Sequence, residues 1–155
     1  MNAKKSAFMT QRLTLVSVAL MVALMGFTGC KEDGCTDPDA VNYNADAKSD
    51  DSLCEWEADV VFWFDEPYAN FMSSFGTTQL RVTFDNDYLG AMSLDQPFVT
   101  QPNCDDPVAI TVTKRYTGAK SRNFWLSVED QNGAFLDEGP RGVRANECTH
   151  IKIDN

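Results

Sequence analysis

Five cysteines, at positions 30, 35, 54, 104 and 148, constrain this chain of 155 residues more than any other feature. Their surroundings place them outside the cytoplasm. Residues 1–12 carry Lys4, Lys5 and Arg12 and no acid, residues 13–27 (LTLVSVALMVALMGF) carry no charge, and Thr28-Gly29 precedes Cys30. A basic segment, a short apolar core and small residues before a cut site describe a secretory signal over 1–29. As a membrane-spanning helix the apolar run falls short of the roughly 20 residues needed. As a buried helix it would be apolar on every side. Cysteines in an exported chain form disulfides, so the remaining four are read as a framework.

The ending Phe27-Thr28-Gly29-Cys30 resembles the bacterial lipobox, with phenylalanine where such motifs usually carry leucine or another aliphatic residue. The resemblance implies cleavage before Cys30 and acyl chains of the palmitate kind on it, each buried methylene contributing about 0.8 kcal/mol to membrane attachment. Next comes Lys31-Glu32-Asp33, similar to the lysine-plus-two-acids signal that sends Bacteroidetes lipoproteins to the outer face of the outer membrane. That resemblance implies display at the cell surface, the periplasmic face being the alternative. Removing residues 1–29 takes away three bases and no acid, leaving 10 basic against 23 acidic residues and a formal charge of -13. Such a body is repelled by anionic lipid, so membrane partnership rests on the anchor. The negative charge also excludes nucleic acid as a partner.

Cys35 and Cys54 bracket an acidic stretch, GCTDPDAVNYNADAKSDDSLC, with no helical or strand period and many turn formers. A disulfide between them would close a loop contributing about 3 kcal/mol. The stretch resembles a cassette of Bacteroidetes surface proteins, roughly G-C-T-D-P-x-A-x-N-Y-N-x-x-A-x-x-D-D-x-S-C. The matches are Gly34, Cys35, Thr36, Asp37, Pro38, Ala40, Asn42, Tyr43, Asn44, Ala47, Asp50, Asp51 and Cys54, with Ser52 one place early. Asp37, Asp39, Asn42, Asn44, Asp46, Asp50 and Asp51 supply the hard oxygens that Ca2+ requires, so calcium is the candidate cofactor. The spacing is not that of an EF-hand. The competing reading is a spacer of Asx-turns with its carboxylates in water.

From Ala58 onward short alternating runs begin. Val60, Phe62 and Phe64 alternate with Val61 and Trp63, a strand apolar on both faces and therefore central or covered. Leu80, Val82 and Phe84 form a second run, Asp85-Asn86-Asp87 a turn, and Tyr88–Leu94 its return. Val108, Ile110 and Val112 make the next, and Phe124, Leu126 and Val128 another, with Trp125 outward. Asn132-Gly133 marks a hairpin, and Ile151 and Ile153 close the chain. No window predicts a helix. The pattern predicts an all-β fold, a small antiparallel sandwich of immunoglobulin-like kind over 58–155, after a signal at 1–29 and a lipidated tether and cassette at 30–57. Four cysteines allow three pairings, and locality favours Cys35 with Cys54 and Cys104 with Cys148. The order is similar to a family of small secreted Bacteroidetes domains, the counterparts being Val61, Phe62, Trp63, Gly90, Cys104, Cys148, Ile151 and Ile153. That resemblance implies a fold and brings no enzymatic role with it.

Candidate sites follow from exposed chemistry. Tyr68, Phe71, Met72 and Phe75 crowd the segment after the first strand, and Tyr68, Phe71 and Phe75 with Trp125 are the candidates for stacking on a glycan or a protein partner. Trp56, ahead of the first strand, is a further one. The alternative is that these rings cap one end of the sandwich. His150 is the lone histidine, which excludes a multi-histidine metal centre, and it alternates with Ile151 toward the outer face. Glu129 with Asp130 and Asp137 with Glu138 are adjacent on strands and so point apart, poor material for a carboxylate-dependent hydrolase. Arg141 and Arg144 fall in a late loop, beside acids they can balance. The expected role is non-catalytic, either binding or envelope structure, with a glycan-binding accessory lipoprotein as the alternative.

Overall fold

The computed structural model describes residues 32–154. The expected signal over 1–29, Cys30 and Lys31 lie outside the described residues. Residues from Asp33 on form one compact unit. In chain order its elements are β1 (Asp33–Gly34), β2 (Ser49–Asp50), β3 (Glu55–Trp63), α1 (Glu66–Ser73), β4 (Gln79–Phe84), β5 (Asp87–Ser93), β6 (Ile110–Thr117), β7 (Ser121–Glu129), β8 (Phe135–Arg144) and β9 (Cys148–Lys152). The fold is all-β. A three-stranded sheet of order β6-β3-β9 and a four-stranded sheet of order β5-β4-β7-β8 pack as a sandwich. Among the described residues no helix is long and apolar enough to cross a membrane.

The inward positions are those that alternation predicts. Val60 and Phe62 on β3, Leu80, Val82 and Phe84 on β4, and Leu126 and Val128 on β7 are fully buried, with Phe62 edge-on to Phe84 at 5.2 Å. Val61, on the opposite face of β3, is also fully buried. The β5–β6 loop explains this. It is tied at Phe98 N–H to the Phe64 carbonyl and at Cys104 to Cys148, whose side chain shares the outer face with His150 and Lys152. Both expected disulfides are present, Cys35–Cys54 and Cys104–Cys148, with Cα atoms 4.9 and 5.8 Å apart. Asp85 and Asn86 take φ values of 55° and 67°, the left-handed pair that a tight hairpin requires.

Several expectations are corrected. β9 runs parallel to β3, so the three-stranded sheet is mixed rather than antiparallel. The strand order is not immunoglobulin-like either, because that fold keeps its first two strands in one sheet whereas β3 and β4 lie in different ones. A helix, α1, stands where none was predicted. Asp65 is its N-cap, accepting from Tyr68 N–H at 3.1 Å, proline occupies the first turn, and Tyr68, Ala69 and Met72 turn inward. The supposed late loop with Arg141 and Arg144 is strand β8, an edge strand that tolerates Pro140 because edges need no full ladder. β6 begins at Ile110 and runs on to Thr117, while Val108 is 78% exposed outside it. β3 begins at Glu55, so Trp56 is a core residue, 3% exposed, rather than a platform.

The cassette is stitched to one end of the sandwich. The Asn42 side chain donates to the Leu53 carbonyl at 2.9 Å and accepts from Glu55 N–H at 2.7 Å. Val41 N–H donates to the Glu55 carbonyl, and the Asn146 amide to the Asp39 carbonyl. Helix α1 sits beyond the other end of β3. A nine-residue strand spans roughly 27–30 Å, which separates the cassette from the helix.

Candidate functional site

Structure scatters the four aromatic candidates. Tyr68 is buried, 6% exposed, on the inner face of α1 with its ring 6.3 Å from that of Phe64. Its hydroxyl finds no hydrogen-bond partner among the described residues. Burial pushes its pKa up to about 12, with the carboxylates of Asp137 and Asp154 adding to the shift. Phe71 and Phe75 stay outside and meet edge to face at 5.0 Å. Trp125 is 53% exposed on the outer face of the four-stranded sheet. Its carbonyl accepts from Asp85 N–H at 2.8 Å, which sets it level with the β4–β5 turn, the end of β4 remote from α1. The two phenylalanines and the tryptophan therefore do not form one surface.

Trp125 has a neighbourhood of its own. Thr83 is paired with Ser127 and Tyr88, and Trp125 with Pro140, so these side chains share the outer face. Tyr88 is 58% exposed, with the Arg81 guanidinium 5.5 Å from its ring centre. A flat, mixed surface of rings, hydroxyls and one stacked cation results.

Four of the seven candidate oxygen donors of the cassette are engaged in local turns, and Asp46 is exposed. Asp37 accepts from Asp39 N–H, Asn44 from Asp46 N–H, Asp50 from Ser52 N–H and Asp51 from Leu53 N–H, all at 2.9–3.1 Å. Lys120 reaches between Asp37 and Asp39 at 3.0 and 2.9 Å, with its ammonium 5.0 Å from the centre of the Trp56 ring. The hydrogen bond from Lys120, followed by that from Asp39 N–H, holds the Asp37 carboxyl below its usual range. The side-chain hydrogen bonds of Lys120 to the carboxylates of Asp39 and then Asp37 raise its own pKa. Among the described residues no three His, Cys, Asp or Glu side chains converge where a metal ion would sit.

Several other carboxylates and cations are also committed. Asp130 accepts from Ala134 N–H and Asn132 N–H at 2.8 and 2.7 Å, bonds that cap the hairpin around Gly133 and lower its pKa, Ala134 first. Asp137 faces inward opposite Val128 and binds Arg141, while Glu138 faces outward opposite Ser127. Arg144 lies 3.4 Å from Glu147. Asp65 pairs with Lys152 at 2.7 Å, a bond that lowers the Asp65 pKa and fastens α1 to β9. His150 is half-buried rather than exposed, with Nε2 3.5 Å from Cys148 Sγ.

One functional-looking residue escaped the sequence reading. Lys114 is 9% exposed, its ammonium 2.7 Å from Asp87 and 3.7 Å from Asp85 and within 5.8 and 6.0 Å of the Phe84 and Phe124 ring centres. Its parity with Ile110 and Val112 was the available signal. It fastens the β4–β5 turn to the opposite sheet. No protein-family model, curated protein or solved structure matches this chain.

Proposed function

We propose that this chain is a lipid-anchored protein of a bacterial outer surface whose sandwich binds or braces other envelope components without catalysis. The anchor follows from Phe27-Thr28-Gly29-Cys30 and the export signal from Lys31-Glu32-Asp33. The observation that carries the non-catalytic reading is the fate of the carboxylates. Asp130 caps a turn, Asp137 is held by Arg141, and Asp37 and Asp39 by Lys120, so these acids serve the fold.

A second reading, binding of an external glycan, is favoured by one observation. Trp125 lies open on a sheet face beside Pro140, with Ser127, Thr83 and Tyr88 around it. A ring offers its face to sugar C–H groups while the neighbouring hydroxyls hydrogen-bond.

The test is fractionation of the full-length protein expressed in a Bacteroidetes host, with Cys30→Ala alongside, and protease treatment of intact cells. Membrane association that the alanine variant loses, with digestion on intact cells, supports surface display. A protected membrane form moves the protein to the periplasmic face. Wild type and variant fractionating alike overturns the anchor.

A further inference from the structure

The two disulfides stand in different surroundings. Cys35 and Cys54 are 1% and 5% exposed, whereas Cys104 and Cys148 are both half-buried. Cys148 lines a surface cavity of about 260 Å³ together with Glu57, Asp59, Thr113 and Glu147. On the same sulfur, His150 Nε2 lies at 3.5 Å. An approach path, a polarising imidazole and a wall of carboxylates thus meet at one half of a disulfide.

We propose that Cys104–Cys148 is a thiol–disulfide exchange site selective for small cationic thiols. The incoming thiolate attacks Cys148 Sγ from the cavity. A new sulfur–sulfur bond to Cys148 forms as the bond to Cys104 breaks, and Cys104 leaves with the electron pair and takes a proton from water. A second equivalent of the thiol then releases Cys148 as a thiol and departs as the symmetric disulfide. In the tautomer protonated at Nε2, His150 donates to Cys148 Sγ and draws electron density from the sulfur under attack.

Charge supplies the selectivity. Three carboxylates line the cavity, Glu57 paired with Arg115, Glu147 with Arg144, and Asp59 accepting from the Thr113 hydroxyl, so that Asp59 carries the local negative charge. Asp105 and Asp106 follow Cys104, and the chain after residue 29 carries a formal charge of -13. Anionic thiolates such as mercaptoacetate are repelled from this surface, and a thiol carrying an ammonium group is drawn to it. Opening frees the β5–β6 loop at Cys104, leaving its tie from Phe98 N–H to the Phe64 carbonyl.

The experiment incubates the oxidised, folded protein with cysteamine or with mercaptoacetate at equal thiolate concentration. Free cysteines are trapped by alkylation and mapped by peptide mass. Each rate is divided by that thiol's rate on a neutral dialkyl disulfide, which removes differences in intrinsic nucleophilicity. The expected result is a cysteamine adduct on Cys148, alkylated Cys104 and intact Cys35–Cys54. Cysteamine should be about ten-fold faster at low salt, the ratio collapsing toward one at 1 M salt. Asp59→Asn lowers the ratio, and His150→Leu slows both thiols. Equal normalised rates at low salt, an adduct on Cys104, or Cys35–Cys54 opening as fast as Cys104–Cys148 overturns the proposal.

Discussion

Arg141 folds back along β8 onto Asp137, its Nη2 2.7 and 2.6 Å from the two carboxylate oxygens, across the bare α-carbon of Gly139. All three face the space between the sheets, where a strand residue would ordinarily be apolar. An inward ion pair on an edge strand discourages pairing with another chain's edge. Gly139 makes the pair possible, since a Cβ there would stand 3.2 Å from Arg141 Nη1 and its φ is +147°. Gly139→Ala is therefore expected to cost about 1–3 kcal/mol, read as a lower midpoint in urea unfolding. An unchanged midpoint would mean that the backbone at this position relaxes freely.

The cassette clamp gives a pH prediction. Asp37 is lowered by its bond to Lys120, so its contribution to stability is complete above the ordinary aspartate value of 3.8 and is lost as pH falls through the lower folded value. Lys120 is raised, so its contribution is complete below its ordinary value of 10.5 and is lost as pH rises beyond it. Lys120→Met removes the alkaline dependence and weakens the acid one, which keeps the Asp39 N–H bond to Asp37, while keeping a chain over Trp56. Limited proteolysis between Cys35 and Cys54, followed against pH, should show the wild-type cassette loosening at the acid end and the variant cut more readily at neutral pH. A variant as resistant as wild type at pH 7 would show that Asn42 and the disulfide hold the cassette unaided.

Much of this arrangement was legible in the sequence, because period-2 alternation reports burial directly. Val60, Phe62, Leu80, Val82, Phe84, Leu126 and Val128 were all readable as inward, and the cysteines paired by locality. What escaped was structure fixed by partners rather than by pattern. β8 has no apolar alternation, since its inward residues include Asp137, Gly139 and Arg141, and only pairing with β7 makes it a strand. β9 lies parallel to β3, a register that no local turn announces. Helix α1 did carry a signal, Asp65-Glu66-Pro67, but eight residues are too few for periodicity to outweigh the strands around them. Lys114 was not singled out because a lysine inside a sandwich makes sense only once Asp85 and Asp87 are seen above it.

Tyr68 offers a test of the interior. Its hydroxyl is buried without a partner among the described residues, and its pKa of about 12 keeps it protonated through neutral and moderately alkaline pH. An unpaired buried hydroxyl has a desolvation cost and no compensating bond, so Tyr68→Phe is expected to leave stability unchanged or raise it by up to about 1 kcal/mol. Thermal unfolding of the two proteins checks this. A loss of stability would mean that the hydroxyl has a partner, with Asp137, whose carboxylate adds to the rise in the Tyr68 pKa, the residue to test by a second substitution.

Trp125 separates function from fold. Half of it is in water, and its sheet position is held by the β7 backbone rather than by its ring. Trp125→Ala is expected to change stability by less than about 1 kcal/mol, as surface substitutions do. If the outer face of the four-stranded sheet binds glycan, the same substitution should abolish retention on a panel of immobilised polysaccharides that retains wild type. Phe75→Ala, at the far end of the sandwich, is the control and should leave retention intact. Equal retention of wild type and Trp125→Ala would remove this face from the glycan reading. Loss with Phe75→Ala instead would move the contact to the end of α1 and the turn after it, where Phe71 and Phe75 present the only paired rings exposed among the described residues.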